Sequence, residues 1–530
     1  MSRSDIEVLP GKAEEWRPSF NPWLIALAVM LATFMEVLDT SVANVSLPHI
    51  AGSLSASTDE ATWVLTSYLV SNAIILPATS WLAGMFGRKQ LLITCIIIFS
   101  LASALCGAAP TLSTLIIARV IQGAGGGALQ PIAQSVLLES FPAEKRGQAM
   151  AVYGMGIIVA PIIGPTLGGW ITDNYSWRWI FYINVPVGIL AIMMAQAFVE
   201  NPPYLRRVSR SRIDFMGFGL LALWLATMQL VLDKGQEEDW FAAPWIRWLA
   251  VISAVSLIGF VVRELAVKDP IVDLRVLADR NFRTGSMLIA IVGGVLYSTI
   301  AILPIFLQTL MGYPALQSGL AMSPRGLGSL VSMIMVGRLI GKIDSRYLMA
   351  GGFMVLATSN FMLSNINLDI SMSSVVLPNI VNGLAMGFIF VPMTTTSMGT
   401  LSNSQMGNAS GIYNLMRNTG GSIGISVATT VLARLAQTHQ NHLVGHVDPY
   451  NPVFQQEFRQ MLHGFGRYAP PAEASHQAYG AIYGIVLKQS SLLAFVDNFR
   501  VLGYICLLCI PLVLFVFRKV VARGGASAMH

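Results

Sequence analysis

Five ionisable side chains lie within long apolar stretches of this sequence. They are Glu36 and Asp39 in the first stretch, and Arg119, Arg325 and Arg417 in later ones. A charge at the centre of a bilayer costs about 3 kcal/mol on insertion scales, so an intramembrane charge is a functional candidate by default. Two carboxylates and three guanidinium groups in hydrocarbon indicate the transfer of protons or the binding of charged solutes.

Two of these charges lie at a similar depth and could meet across the bundle. Asp39 lies nine residues before Pro48, and Arg119 lies eight residues after Thr111. At about 1.5 Å per helical residue, both lie roughly 12–14 Å from the same membrane surface. That depth is near the middle of a hydrocarbon core about 30 Å thick. Glu36 is one helical turn deeper than Asp39, on the same face.

This arrangement suits proton coupling. Burial and a neighbouring carboxylate favour the neutral form of a carboxyl group, whereas a nearby arginine favours the charged form. A carboxylate balanced between these effects can take a proton from one side and release it on the other. We therefore predict proton coupling at Asp39, Glu36 and Arg119. A structural ion pair is the alternative, and a cationic or polar drug could compete for the same charge.

The remaining two arginines are open to two interpretations. Arg325 and Arg417 could each bind a helix C-terminus or an anionic group of a substrate. A loose drug-binding surface of apolar and aromatic side chains is also expected in the centre of the bundle. The predicted lining of this substrate cavity is Met35, Tyr153, Arg325, Arg417 and Asn414.

The composition requires a helical membrane protein around these charges. The chain has 530 residues, of which 54% are hydrophobic and 11% charged, whereas soluble domains carry about 25% charged residues. Thr284–Pro324 and Ile370–Met416 contain no Asp, Glu, Lys or Arg, and each could supply two spans of about 20 residues. A β-barrel would show apolar and polar residues in alternation. We predict an all-α polytopic membrane protein.

Hydropathy predicts fourteen spans. They lie near 22–47, 61–84, 90–109, 112–138, 148–172, 179–199, 213–232, 245–263, 284–310, 317–341, 347–366, 372–400, 408–436 and 499–517. Most basic loop residues, from Arg88 to Arg346, fall on one side, which is the cytoplasmic side by the positive-inside rule. Both termini are therefore predicted to be cytoplasmic. The net charge of +6 is explained by these loops and does not indicate nucleic-acid binding.

The spans repeat. Gly87-Arg88-Lys89 follows the second span and Gly337–Lys342 follows the tenth, while Gly123–Gly127 in the fourth span matches Gly383–Gly387 in the twelfth. An offset of eight spans predicts two six-helix halves with two inserted helices, which is a transporter architecture. Gly337–Lys342 lacks the spacing of a phosphate-binding loop. We therefore expect no cofactor, and an ion gradient as the source of energy.

The repeat sets the predicted domain boundaries. These are a cytoplasmic tail at 1–21, a six-helix bundle at 22–199, two inserted helices at 200–283, a second bundle at 284–517 with an outer loop at 437–498, and a cytoplasmic tail at 518–530. Within the outer loop, Ala478–Val496 is predicted to be a helix packed on the outer surface. At the start of the same loop, the spacing of His439, His442 and His446 fits a solvated helix face better than a metal site.

The fifth span is rich in proline and glycine. The run Gly156–Gly169 contains two prolines, of which Pro165 is the second. Gly164 directly precedes Pro165, and Gly168 and Gly169 follow it. Prolines remove backbone donors, and glycines four residues apart allow close helix packing. The run predicts a hinge or sliding seam, with plain packing as the alternative.

With these motifs in place, the sequence resembles the fourteen-span drug:proton antiporters of the major facilitator superfamily, and in particular EmrB-like inner-membrane subunits of tripartite multidrug efflux pumps. The runs that carry the resemblance are Leu38–Pro48, Arg119–Gly123, Gly156–Gly169, Trp177–Pro186 and Asn414–Ser422. In the family, the fourth-span arginine is linked to proton transfer. The fifth-span run is typical of antiporters.

The resemblance implies a major facilitator fold and a proton-coupled exporter of lipophilic or amphipathic drugs from the bacterial inner membrane. Protons, small lipophilic molecules, membrane lipid, a periplasmic adaptor protein and an outer-membrane channel would be its partners. The 437–498 segment could help to dock the adaptor. A dedicated exporter of one metabolite, siderophore or lipid is the alternative. An enzyme is not expected, because no reactive cluster is visible.

The chain departs from the family pattern in two places. The family carries an acidic residue three positions before the glycine of the loop after span two, but this chain has Gly84 there. Gly87 and Arg88 of the same motif are retained and are expected to act in the conformational change. In the second half, the repeat places Asn379 where the first half has Arg119.

Overall fold

The computed structural model describes residues 18–142, 145–201, 214–268, 270–402 and 405–517. Over these residues the chain forms helices joined by short loops, and the only β-type pairing is an isolated bridge between Ile340 and Ile343. The predicted all-α class is confirmed.

The first half contains eight helices. They are α1 (Pro22–Ser53), α2 (Thr58–Phe86), α3 (Arg88–Ala108), α4 (Leu112–Gly126), α5 (Leu129–Ser140), α6 (Arg146–Asn174), α7 (Trp179–Tyr182) and α8 (Asn184–Phe198). Two of the predicted spans are broken helices: α4 and α5 form the fourth span, and α7 and α8 form the sixth. The break after α4 lies at Gly127, where an added Cβ would come within 2.5 Å of the Asn72 carbonyl oxygen.

Ten further helices follow. They are α9 (Phe215–Lys234), α10 (Pro244–Ala266), α11 (Arg280–Ile305), α12 (Ala315–Met322), α13 (Pro324–Leu339), α14 (Ser345–Leu363), α15 (Met372–Met398), α16 (Met406–Val444), α17 (Pro452–Phe465) and α18 (Pro471–Val516). A π-helical turn, Phe306–Leu310, extends α11. The tenth predicted span is divided between α12 and α13.

Among the described residues, twelve helical stretches are long and apolar enough to cross a membrane. The two other long helices of predicted spans, α14 and α16, are less apolar because they contain many small and polar residues. Both pack within the bundle, α14 against α15 and α18, and α16 against α11 and α18. We therefore assign fourteen spans, and their large exposed apolar side chains face lipid.

The repeat is visible in the way helices approach each other. An added Cβ on Gly168 of α6 would come within 2.9 Å of Val42 in α1, and one on Gly424 of α16 would come within 2.4 Å of Gly294 in α11. The loops repeat as well, since Gly87 and Gly341 have φ values of +83° and +88°. Each half therefore uses glycine at corresponding points.

The inserted helices α9 and α10 pack against each other, and α9 also packs on α2 and α16. Asp214 caps α9 through the backbone N–H of Gly217 and accepts a 3.1 Å hydrogen bond from Nε of Arg263 in α10. Burial raises the pKa of the Asp214 carboxyl, but these hydrogen bonds outweigh burial and leave the pKa below its ordinary value. The carboxylate therefore holds the two helices together.

The outer part of the last helix differs from the prediction. Ala478–Val496 is not a separate helix on the surface but the middle of α18, which runs unbroken for 46 residues. No proline interrupts it between Pro471 and Pro511, and Phe495 and Val496 are buried. At about 1.5 Å per residue the helix is roughly 69 Å long, more than twice the hydrocarbon thickness. Helix α18 therefore projects from the bundle.

Helix α16 projects beside α18. It has 39 residues, and its His439 lies 2.8 Å from Asp497 of α18. His446 instead contacts the backbone carbonyl of His442. No group of three metal-ligating side chains is found within the described ranges. The histidines thus lie on or just beyond the projecting end of α16, where they contact the chain itself.

Candidate functional site

A buried ion pair occupies the centre of the first half. Arg119 Nη1 donates a 2.5 Å hydrogen bond to Asp39 Oδ2, and neither side chain is more than 1% exposed. Arg119 Nε donates to the Val64 carbonyl oxygen at 3.0 Å. These two residues, which the depth calculation placed at a similar level in the membrane, are in direct contact. The pair joins α1 to α4, and Val64 ties it to α2.

Two amides complete the environment of Asp39. Gln122 Nε2 and Asn184 Nδ2 donate to Oδ1 at 2.9 and 2.7 Å. Gln122 also accepts a 2.8 Å hydrogen bond from Arg119, whose guanidinium lies 4.2 Å from the centroid of the Tyr68 ring. Both amides fall within the motifs at Arg119–Gly123 and Trp177–Pro186, but their contact with Asp39 was not predicted. Three donors therefore surround this carboxylate.

Glu36 has a separate environment. Its Oε2 accepts a 2.6 Å hydrogen bond from Gln130, and its Oε1 accepts from Asn72 at 3.1 Å and Tyr68 at 3.4 Å. The residue is 4% exposed, and no cationic group lies within ion-pair distance of it in the described part of the chain. Glu36 is therefore a buried carboxylate held by neutral donors alone.

Gln130 connects Glu36 to the second half. Its Oε1 accepts a short hydrogen bond from Arg417 Nη2 in α16, and its backbone carbonyl accepts a 3.2 Å bond from the Tyr153 hydroxyl. One turn along α5, Gln134 Oε1 accepts a 2.6 Å bond from Asn414. The two glutamines were not among the predicted site residues. Their polar positions in span four, at a spacing of four, were the available signal.

A cavity of about 40 Å³ lies between α6 of the first half and α11, α15 and α16 of the second. Arg417 is the one charged residue on the cavity wall. Phe390 is also part of the wall, and Tyr153 packs against Phe390 from outside it. The wall consists of Gly154, Ile157, Ile289, Val292, Gly293, Leu296, Tyr297, Met386, Ile389, Phe390 and Arg417. Drug-sized ligands need about 300–1,000 Å³, so substrate entry requires the halves to separate further.

Three residues predicted for the substrate cavity lie elsewhere. Asn414 contacts Gln134 in the interface between the halves. Met35 is 1% exposed and sits in the core of the first half, facing Gly188 of α8. Hydropathy alone could not show which side of α1 faces the cavity. Arg325 is 3% exposed and does not line the cavity, and its Nε and Nη2 have no hydrogen-bond partner among the described residues.

The acidic partner missing at position 84 is supplied by another helix. Arg88 forms a buried ion pair with Glu139, at the end of α5. An added Cβ on Gly407 of α16 would lie 3.6 Å from Arg88 Nη2, so this ion pair borders the second half. Glu139 was missed because the predicted span ended one residue before it.

Helix α6 runs along the interface between the halves. An added Cβ on Gly164 would come within 2.3 Å of Ser41 Oγ in α1, whereas one on Gly319 of the second half would lie 3.5 Å from Pro165. In the first third of α6, a Cβ on Gly154 would come within 2.6 Å of Met333. Gly169 was predicted to belong to this seam, but a Cβ there would meet nothing within 4 Å.

Comparison with known proteins agrees with this architecture. The model of the Major Facilitator Superfamily matches residues 29–425. The chain belongs to this superfamily. Among solved structures, the human organic anion transporter MFSD10 (TETRAN) is similar, with a TM-score of 0.58 at 12% identity over 92% of this chain and 100% of that one. The likeness confirms the major facilitator fold, and the chain is a multi-pass membrane transporter.

Curated relatives cover most of the chain. It is 41% identical over 440 residues to the multidrug export protein EmrB of Haemophilus influenzae, covering 83% of this chain and 86% of the relative. It is 36% identical over 510 residues to EmrB of Escherichia coli strain K12, covering 96% and 98%. The fatty acid resistance protein FarB of Neisseria gonorrhoeae is 36% identical over 452 residues, covering 85% and 87%. The predicted resemblance to the EmrB-like family is confirmed.

Proposed function

We propose that this transporter is a proton-coupled antiporter that exports lipophilic or amphipathic compounds. Three relatives are named for the export of drugs or for resistance to fatty acids, which supports a toxic, lipophilic substrate class. The observation that carries the proposal is the fully buried Asp39–Arg119 pair. A proton gradient is the energy source that such a pair can use, and no cofactor is needed.

The chemistry follows from the donors around Asp39. When the carboxylate is charged, the guanidinium and two amides stabilise it, and the pair is electrically neutral. A proton on Asp39 removes the attraction to Arg119 and leaves a buried cation, which is costly unless other acceptors remain. Gln122 and the Val64 carbonyl supply such acceptors. Arg119 thus binds Asp39 when the carboxylate is charged. When Asp39 is protonated, Arg119 keeps its hydrogen bonds to Gln122 and to the Val64 carbonyl.

Helix α1 can transmit this change to the interface. Asp39 lies within one turn of Ser41 and Val42, which touch the glycines of α6. Helix α6 in turn packs on the second half along its length. Relaxation of the ion pair would shift α1 on this close-packed seam, and α6 would move against the second half. Such rocking of one half against the other is the expected basis of alternating access.

The assembly and orientation are part of the proposal. The basic loops support an orientation in a bacterial inner membrane with both termini in the cytoplasm, in which the projecting ends of α16 and α18 would lie in the periplasm. A tripartite pump with an adaptor protein and an outer-membrane channel is consistent with relatives named EmrB, and the projecting helices would be available for docking. The chain would act as the transporter of such a pump and not as an enzyme.

Proton flux in liposomes tests the proposal. The purified chain is reconstituted, and proton movement is recorded with a pH-sensitive dye while a lipophilic drug gradient is applied. We expect drug-dependent proton flux that Asp39→Asn abolishes. Asp497→Asn, on the projecting end of α18, is the matched control and should transport normally. Undiminished coupled flux through Asp39→Asn would contradict the proposal.

A further inference from the structure

The contact between the two halves includes a chain of three polar side chains from three helices. Glu36 of α1 accepts from Gln130 of α5, which in turn accepts from Arg417 of α16. The first two belong to the first half and the third belongs to the second. Glu36 and Arg417, of opposite charge, are therefore connected only through one neutral amide.

The amide of Gln130 has a forced orientation. A charged carboxylate only accepts hydrogen bonds, and a guanidinium only donates them. Gln130 must therefore turn its NH₂ toward Glu36 and its oxygen toward Arg417, as it does here. In this orientation one side chain satisfies both neighbours, and the bond to Arg417 holds the halves together.

We propose that Gln130 is a positioning residue that transmits the protonation state of Glu36 to the contact between the halves. This inference rests on the proposed proton coupling and deepens it. A protonated Glu36 carries an O–H donor that needs an acceptor. Rotation of the Gln130 amide would offer its oxygen to that donor and would turn its NH₂ toward Arg417. Two donors then face each other, so the contact between the halves opens.

Electrostatics acts in the same direction. A charged Glu36 attracts Arg417 through the low-dielectric interior, and protonation removes this attraction. The other titratable groups near Glu36 are Tyr68 of α2 and Tyr153 of α6, with the Asp39–Arg119 pair one turn away. Because that pair is internally neutral, Arg417 is the cation, among the described residues, that we expect to respond to Glu36.

A neighbouring contact provides a matched control. Gln134 lies one turn along α5 from Gln130 and accepts from Asn414 of α16. It bridges the same two helices with an amide of the same size, but it has no hydrogen bond to Glu36. Its Nε2 is buried, with no hydrogen-bond partner in the part of the chain that the structure describes. Loss of Gln134 therefore weakens the interface without touching the proposed relay.

Distances between spin labels test the relay in the full-length chain. Labels at Ser53 and Ser373 report the distance between the halves at one end, and labels at Phe86 and Lys342 report it at the other. The four native cysteines are buried, so introduced surface cysteines react first. Pulsed electron–electron double resonance is recorded in lipid nanodiscs at a series of pH values. The samples are the spin-labelled chain without further change and its variants Glu36→Gln, Gln130→Leu and Gln134→Leu.

We expect a pH-dependent shift in the distance between the halves. Glu36→Gln should remove the part due to Glu36, and Gln130→Leu should show the same reduced shift, while Gln134→Leu retains the full shift. A full shift in either Glu36→Gln or Gln130→Leu would overturn the relay. An equal loss in Gln134→Leu would also overturn it, because general packing would then carry the signal.

The two proposals fail separately. The relay is measured as a distance and needs no transport, whereas the proposed function is measured as proton flux through Asp39. If drug transport proceeds without proton flux, while the pH-dependent distance shift still depends on Gln130, proton antiport alone is refuted. Coupled transport with an unchanged shift in Gln130→Leu would refute the relay alone.

Discussion

The two halves share their backbone packing but not their chemistry. In the first half, Gly123 packs on the backbone of Tyr68, and an added Cβ would come within 2.4 Å of its carbonyl oxygen. In the second half, Gly383 packs in the same way on the backbone of Arg325, at 1.9 Å. Close approach of two helices requires the absence of a side chain on one of them, so this feature is retained in both copies.

The side chains around these glycines differ. Beside Gly123 lie Arg119 and Gln122, which are engaged with Asp39. The repeat places Asn379 and Asn382 at these positions in the second half. The Oδ1 of Asn379 and both polar atoms of the Asn382 side chain are buried and have no hydrogen-bond partner among the described residues, and the same is true of two nitrogens of Arg325.

This difference separates architecture from function. The first half carries a buried ion pair surrounded by amides, although Arg119 Nη2 has no hydrogen-bond partner among the described residues. The corresponding centre of the second half has buried polar groups and, in the part that the structure describes, no ion pair, and each unpaired group costs about 1–3 kcal/mol. The fold therefore repeats the helix contacts, while the buried ion pair is found in one copy, and the second half contributes Arg417 at the interface.

Replacing the buried arginines should show the largest difference in stability between the two halves. Arg119→Met leaves Asp39 charged and buried, which costs about 3–5 kcal/mol. Arg325→Met removes unpartnered donors and should be neutral or stabilising by about 1–2 kcal/mol. Thermal unfolding of the purified variants in detergent measures both.

The double variant Asp39→Asn with Arg119→Met is the control, because both charges are removed. It should recover much of the stability that Arg119→Met loses. If Arg325→Met were as damaging as Arg119→Met, the second half would contain a partner that the present conformation does not show, and the contrast between the halves would fail.

The packing glycines should respond alike. Gly123→Ala and Gly383→Ala each place a methyl group against backbone, where neither helix can relax without separating. Overpacking of this kind costs about 1–3 kcal/mol. Thermal unfolding should show similar losses in both variants. Gly169→Ala, where the space is open, should be neutral or slightly stabilising through helix propensity, and a large loss there would contradict the packing account.

The sequence predicted the features that depend on local pattern and length. Spans follow from hydropathy, and the meeting of Asp39 with Arg119 follows from counting residues along two helices. The recurrence of the loop motifs Gly87-Arg88-Lys89 and Gly337–Lys342 was also visible in the sequence. Each of these features needs only the helical rise or a comparison of one segment with another.

Features that depend on helix rotation or on distant partners were not predicted. Glu139 pairs with Arg88 only because the fourth span breaks at Gly127 and continues to Ser140. Gln130 bridges two halves, which no local pattern reports. The continuity of α18 was missed because hydropathy marks where a helix leaves the membrane but not where it ends.

The loop glycines allow the finest test of the comparison. Both have positive φ, and Gly87 also has a ψ of 149°, a region that is essentially limited to glycine. Such conformations cost an L-residue about 1–3 kcal/mol. Gly341→Ala should lose about that amount, since its Cβ would meet nothing within 4 Å. Gly87→Ala adds a contact at 2.7 Å with Gln90 Oε1, which belongs to a flexible side chain, so its loss should be only slightly larger. Thermal unfolding of both variants beside Gly351→Ala, a helical glycine with open space, measures the difference. If Gly341→Ala were as stable as the unmodified chain, the second loop would not depend on a glycine with positive φ. The two loops would then share a sequence motif but not a backbone requirement for glycine.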